Sequence, residues 1–291
     1  MSPSQFYVVN AFATSPFGGN PAAVVFMDDL SDTNTLQNIA ANFNQPATVF
    51  LKQMAPDNAQ SKVVTFDVRW FTAQSELPMC GHGSIASSGL LFSTPGLIPS
   101  TVESIVYRST AGLIITANRS GDWIELLMGA AQLQELPAQK LAKMSEVIAR
   151  ALGKEVKVKY AGEGIGAHTN RLFIELDPSI DLPSLQPTPQ IFLETGYLDH
   201  TITTAASSNE LSFISRVFAP ALGNPEDQVC GSAHCMLTPY WAQKLAKADE
   251  EMAAKQVSKR GGDLRVKFHE NDGLITLSGQ TKLVQKGELF V

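Results

Sequence analysis

The chain of 291 residues holds only three cysteines, at positions 80, 230 and 235. So sparse and odd a set builds no disulfide framework, and it fits a reducing compartment. It also makes a poor zinc site. Cys230 and Cys235 have four residues between them, and no second pair or well-spaced histidines complete a tetrahedral set. No metal is expected. Long apolar runs are missing as well, none approaching the ~20 residues a bilayer span needs, so no membrane partner is expected. There is no excess of positive charge: 22 Lys+Arg against 28 Asp+Glu leave a formal charge of −6. Such a chain does not attract a phosphate backbone over a wide surface, which argues against nucleic acid as its main partner. The opening Met1-Ser2-Pro3-Ser4-Gln5 lacks the basic and then apolar pattern of a secretory signal, and a cytoplasmic location is expected. What remains is apolar material for sizeable cores, with 44% hydrophobic and 17% charged residues. That balance excludes an intrinsically disordered chain, and the length fits two domains.

The two halves use a common vocabulary. Tyr7 to Phe12 reads as a strand, ending in a turn around Pro16 to Pro21, and Ala22 to Phe26 as a second strand. Thr33 to Asn42 is a candidate helix, with Ser31 or Asp32 available as its N-cap. Val49 to Leu51 and Lys62 to Phe71 alternate as strands do. Cys80-Gly81-His82-Gly83 then reads as a glycine-containing loop feeding a helix over Ser84 to Phe92. Ala138 to Leu152 is a surface helix between the halves. Later come strands at Leu172 to Leu176 and Phe213 to Phe218, a turn at Gly223-Asn224-Pro225, then Cys230-Gly231-Ser232-Ala233 and an apolar helix over Cys235 to Leu245. Strands at Leu264 to Phe268, Leu274 to Leu277 and Lys282 to Val291 close the chain. The pattern is α+β, in two related domains placed at 1–118 and 119–279, with the last strand, 280–291, a candidate to return to the first.

Cys80 and Cys230 lie half a chain apart, each followed by glycine and each just ahead of a helix. A helix N-terminus favours thiolate over thiol, and its outward N–H groups hold anions. The amides of Gly81-His82-Gly83 and Gly231-Ser232-Ala233 are therefore candidates to bind a carboxylate, with glycine permitting close approach. If the halves face each other, one thiol takes a proton from a carbon and the other delivers one to its opposite face. A lone cysteine is more often a small buried hydrophobe, and Cys235, inside the helix, is read that way. His82 either binds substrate or satisfies a loop carbonyl, and His234 reads as a satisfied helix histidine. His168, His200 and His269 are given no role. Glu226 and Asp227 are acid/base groups or simple helix N-terminal acids, with Asp227 the better functional candidate.

Several stretches together resemble the phenazine-biosynthesis PhzF-like family. They are Val9 to Phe12 with Phe17-Gly18-Gly19-Asn20-Pro21, Arg69-Trp70-Phe71-Thr72 with Glu76 and Cys80-Gly81-His82, and Ser215 to Pro220. Pro225-Glu226-Asp227 with Gly231-Ser232-Ala233, and Arg260-Gly261-Gly262 with Leu277-Ser278-Gly279, extend the resemblance over nearly the whole chain. It implies the diaminopimelate-epimerase-like fold: two pseudo-symmetric domains, each a barrel of strands around a central helix, with the active site in the cleft. It also implies a homodimer and no cofactor. A small carboxylate substrate is expected, with Asn20 and His82 among the candidates to bind it.

Two departures bear on function. Relatives carry a catalytic Glu in an Asn-x-x-Glu stretch, and here that position is Ala47, which cannot shuttle a proton. They usually have Thr before the second Gly-Ser-Ala, and here it is Cys230. The two-thiol pattern is instead similar to cofactor-independent racemases on the same fold. Met79 to Ser84 resembles the first cysteine motif of proline racemases, and Cys230-Gly231-Ser232 the second of diaminopimelate epimerase, without the Glu-Arg pair that precedes the latter. This resemblance makes Cys80 and Cys230 the acid/base thiols of a racemase or epimerase acting at an α-carbon. The alternatives are a double-bond isomerase using Asp227 or Cys230 in place of the missing Glu, and an inactive relative that binds a small acid.

Overall fold

The computed structural model describes residues 3–55 and 61–291, so Met1 and Ser2 of the opening segment lie outside the described residues. The chain divides into two compact units, Met1–Met128 with Leu277–Val291, and Gly129–Thr276. The division thus falls later than 118. The hairpin after residue 103 continues the first unit's sheet, and that pairing holds the segment there.

The first unit runs β1 (Ser4–Ala11), β2 (Asn20–Phe26), α1 (Thr33–Phe43), β3 (Ala47–Gln53), β4 (Val63–Phe71), β5 (Glu76–Leu77), α2 (Gly81–Ser93), β6 (Ser104–Ser109), β7 (Ile114–Ser120) and β8 (Trp123–Gly129). Val- and Phe-rich segments make these strands because branched and aromatic side chains suit a pleated, buried surface. The β1–β2 turn depends on Gly19, at φ +72°, where an added Cβ would sit 2.2 Å from the Ala11 carbonyl oxygen. Of the two cap candidates, Asp32 is the one used: its Oδ1 accepts from the Asn34 and Thr35 amides at 3.0 and 3.2 Å. Helix α2 is buried from Gly81 to Leu91 and packs on β1, β2, β3 and β7. A helix covered on all sides has no solvated stripe, and its small serines, Ser84, Ser87 and Ser88, turn their hydroxyls back to the carbonyls of Cys80, Gly83 and Ser84.

The second unit runs β9 (Leu133–Glu135), α3 (Ala138–Leu152), β10 (Val158–Gly164), β11 (Arg171–Leu176), β12 (Asp199–Ala205), β13 (Phe213–Ala219), β14 (Asn224–Asp227), α4 (His234–Lys244), β15 (Glu251–Gln256) and β16 (Gly262–His269). The chain leaves it through β17 (Leu274–Gly279) and ends in β18 (Thr281–Leu289), which pairs with β1. The expected turn at Asn224 is instead strand β14, recruited by β13. Ile148, Ala151 and Leu152 of α3 pack with Leu172, Ile174, Ile202 and Phe218 in one core. Helix α4 is almost wholly buried and packs on β16.

Each unit repeats one ladder pattern. From β1 through β4 and β6 to β7 the pairings alternate antiparallel, parallel, antiparallel, parallel, antiparallel. From β10 through β13 and β15 to β16 they do the same. Both buried helices occupy the crossover of the second parallel pair. Among the described residues, no helix is long and apolar enough to cross a membrane.

Candidate functional site: two buried thiols, each behind an arginine clamp

In each unit an arginine on a central strand grips a glutamate four residues before the cysteine. Arg69 donates from Nε and Nη2 to the two carboxylate oxygens of Glu76 at 2.8 and 2.6 Å, and from Nη1 to the Leu30 carbonyl at 2.7 Å. Arg216 donates to both oxygens of Glu226 at 2.7 and 3.0 Å, and to the Leu185 carbonyl at 2.8 Å. Each guanidinium also lies over a phenylalanine two residues on, 5.2 Å from the Phe71 centroid and 5.1 Å from that of Phe218. Planar, two-point grips of this kind fix orientation as well as distance. Each clamp therefore sets where the following cysteine starts.

Cys80 is the N-cap of α2, so Gly81, His82 and Gly83 are the helix's first turn rather than a loop. Burial of the whole segment overrides the low helix propensity of its glycines. The Cys80 sulfur accepts from the Gly83 amide at 3.4 Å and lies 3.4 Å from His82 Nδ1. One of the three amides expected for substrate is thus already turned to the thiol. Gly83 has no room for a side chain: a Cβ would meet Val49 at 2.8 Å, and the Cys80 sulfur and Trp70 at 3.2 Å. Burial lowers the His82 pKa to about 4, against a smaller upward pull from the Pro21 carbonyl, so the ring is neutral at pH 7. Asn20, fully buried, opens β2 immediately before Pro21. Ala47 is fully buried at the start of β3.

Cys230 is placed differently. The turn Gly231–Ala233 intervenes, and α4 starts at His234. The Cys230 amide donates to Gln256 Oε1 at 2.8 Å, and Gln256 Nε2 donates to the Asp227 carbonyl at 2.6 Å. Its sulfur lies 3.4 Å from Ser232 Oγ, which accepts from Arg171 Nη1 at 3.0 Å. Arg171 is itself 3.0 Å from Asp199 Oδ2. The expected thiolate-favouring field is overturned here. Burial pushes the Cys230 thiol well up, the carboxylates of Asp227 and Asp199 push the same way, and Ser232 and Arg171 oppose them more weakly. Burial likewise raises Asp199 to about 6, against the pull of Arg171.

Asp227, Gly231, Ser232 and Ala233 lie in the stretch that holds Cys230, Gly81, His82 and Gly83 form the first turn after Cys80, and Asn20 precedes Pro21, whose carbonyl lies against His82. Sequence reasoning missed Arg171, Asp199 and Gln256. The repeat of Arg-x-Phe at Arg69 and Arg216 is the signal that would have aligned the halves and exposed them. Cys235 is buried in α4, as read. His200, bonded to Thr195 Oγ1 at 2.6 Å, belongs to the second unit's core. His234 Nδ1 meets the Cys230 carbonyl oxygen at 2.8 Å. Among the described residues, no group of three or more His, Cys, Asp or Glu is placed to hold a metal ion.

Residues 9–287 match the family described as phenazine biosynthesis-like protein. The chain belongs to this family. A protein from Halalkalibacterium halodurans described as an uncharacterized isomerase is 34% identical over 293 residues, covering 100% of both chains. The crystal structure of a PhzF-family phenazine biosynthesis protein from Enterococcus faecalis superposes with a TM-score of 0.83 at 29% identity, covering 99% of this chain and 100% of that one. A probable proline racemase from Agrobacterium radiobacter, solved with bound carbonate, shares the fold at a TM-score of 0.59 and 10% identity, over 99% of this chain and 93% of its own. PhzF-like membership thus goes with the mixed α+β fold.

Proposed function

We propose that this PhzF-like protein is an isomerase that racemises or epimerises the α-carbon of an amino acid or related small carboxylate, using side chains alone. The observation that carries the reading is the duplication: each unit presents one cysteine, four residues past a clamped glutamate, ahead of a buried helix. A single structural cysteine has no reason to recur at the same place in both repeats. The isomerase description of the Halalkalibacterium relative supports the reaction class. Ala47 supports thiols over a carboxylate as the proton carriers, since a methyl group cannot titrate.

In this mechanism one sulfur, as thiolate, takes the α-proton while the other, as thiol, gives a proton to the opposite face. The roles exchange with direction. The developing enolate needs fixed donors, and the Gly81 and His82 amides with those of Gly231, Ser232 and Ala233 supply them, while Asn20 and Asp227 orient the substrate. The test is α-proton exchange in heavy water over a panel of amino and hydroxy acids, with wild type, Cys80→Ser and Cys230→Ser. Wild type exchanges and inverts its substrate, and each variant loses at least about a hundredfold, the usual size of an acid–base contribution. Full rate in both variants refutes two-thiol chemistry. A change in ultraviolet absorbance without exchange at a stereocentre would mark a double-bond isomerase instead.

A further inference from the structure

Arg69, Arg216 and Arg171 each stand on a strand that serves a cysteine segment, but they use their donors differently. Every nitrogen of Arg69 is engaged: Nε and Nη2 by Glu76, Nη2 also by Thr33 Oγ1 at 2.8 Å, and Nη1 by the Leu30 carbonyl. Arg216 is filled in the same way by Glu226 and the Leu182 and Leu185 carbonyls. Both of these side chains are 7% exposed. Arg171, at the start of β11, is held at one nitrogen alone. Its Nη1 lies 3.0 Å from Asp199 Oδ2 and donates to Ser232 Oγ at 3.0 Å. Among the described residues nothing takes its Nε or Nη2, and the side chain is 24% exposed.

The fold does not need this ion pair. Thr48 stands opposite Phe71 across β3–β4, as His200 stands opposite Phe218 across β12–β13. The preceding parallel ladders then pair Ala22 with Ala47 where the second unit pairs Arg171 with Asp199. Two fully buried methyl groups fill the place in the first unit, and a buried ion pair adds little stability over apolar filling. Charge at this place in the second unit therefore calls for a use other than packing.

The uncommitted donors define what that use is. Nε and one Nη of a guanidinium make a planar fork that matches the two oxygens of a carboxylate. Asp199 and Ser232 hold the remaining nitrogen, so the fork is oriented before anything binds, which lowers the cost of ordering it. It also stands at the thiol: Ser232 Oγ, one hydrogen bond from Arg171, lies 3.4 Å from the Cys230 sulfur. Charge narrows the ligand further. Asp199 and Asp227 are both within electrostatic reach of Cys230, so one guanidinium serves a place with two acidic side chains. A singly charged carboxylate suits that balance better than a phosphate dianion does.

We propose that Arg171 is a substrate-binding residue that takes a carboxylate of the substrate between its Nε and Nη2, beside Cys230. The part this carboxylate plays in turnover rests on the isomerase reading above, whereas binding of an anion at the fork is measurable without turnover.

The first arm of the experiment uses wild-type protein and needs no substrate. Phenylglyoxal, which modifies accessible guanidinium groups, is added to the folded chain, and modification at each arginine is followed by peptide mass spectrometry. Arg171 reacts while Arg69 and Arg216 do not. Acetate slows the reaction at Arg171 and acetamide at matched ionic strength does not, whereas exposed Arg108 reacts alike in both. An unreactive Arg171, equal rates in acetate and acetamide, or stronger shielding by inorganic phosphate than by acetate overturns the assignment. The second arm uses the substrate found by α-proton exchange. Arg171→Lys keeps a positive charge against Asp199 but loses the fork. KM then rises at least about tenfold, the size of one lost charge-assisted hydrogen bond, while kcat stays within about threefold. An unchanged KM overturns the assignment. Shielding of Arg171 by acetate in a chain that exchanges no α-proton would refute the isomerase reading and leave the carboxylate site standing.

Discussion

The clamp in the second unit sets a quantitative expectation for Glu226→Gln. The Arg216 side chain is 7% exposed and that of Glu226 21%, so the pair is largely shielded from water. The wild-type guanidinium makes two bonds to the carboxylate and two to backbone, to Leu182 at 3.3 Å and Leu185 at 2.8 Å. Glutamine keeps the shape but offers one acceptor, and its NH2 meets a guanidinium N–H donor to donor. Removing one partner of a fully buried pair costs about 3–5 kcal/mol, because the other charge is left uncompensated. Partial exposure of Glu226 lowers that to about 2–3 kcal/mol. For a unit of this size, that corresponds to a fall of about 5–10 °C in melting temperature. Differential scanning calorimetry reads the shift directly. The double variant Arg216→Met with Glu226→Leu recovers part of it, since no charge is stranded, but not all, since the Leu182 and Leu185 carbonyls lose their donor. A melting temperature unchanged in Glu226→Gln, or a double variant worse than the single, refutes the view that the clamp carries this energy.

Two more expectations follow from particular groups. Gly83→Ala places a methyl 2.8 Å from Val49 and 3.2 Å from the Cys80 sulfur. Overpacking of this kind costs about 1–3 kcal/mol, so both the melting temperature and the alkylation rate of Cys80 should change, and an unaltered variant would show the helix start to be loosely packed. Stability should also fall in mild acid. Burial depresses His82, His200 and His234 from 6.5 to about 4, and their contribution, present above 6.5, is lost as pH falls through about 4. Asp199 runs the other way, because its pKa is raised from 3.8 to about 6 and its contribution is lost as pH rises through that value. Three histidines outweigh one aspartate, giving a loss of at most about 3 kcal/mol per pH unit between those limits. Urea midpoints measured from pH 7 to 4.5 should decline accordingly, and a flat profile would contradict the burial of these rings.

Much of this architecture was readable from local pattern. The α3 stripe, the Val-rich strands of the first unit and the Asp32 cap all express preferences that act over a few residues. Other features were hidden because their causes lie far along the chain. Gly81-His82-Gly83 reads as a loop by propensity and becomes a helical turn only because strands bury it. Asn224 to Asp227 reads as a turn and becomes a strand only because β13 offers it a partner. Arg171 and Asp199 carry no local signal, since the parallel β11–β12 ladder brings them together across an intervening segment that contains a 3-10 helix.

The clamps also account for which parts of the two units stay alike. β5 has two residues, and β14 has four with an irregular register, so neither ladder alone fixes the backbone that leads to its cysteine. A side-chain anchor must do so, and it must be tied to something rigid. Arg69 and Arg216 stand on strands paired along both edges and reach further backbone at Leu30 and at Leu182 and Leu185. The position of each sulfur therefore depends on the clamp, and the residues at the starts of the preceding parallel strands, Ala22 with Ala47 in one unit and Arg171 with Asp199 in the other, differ without disturbing it.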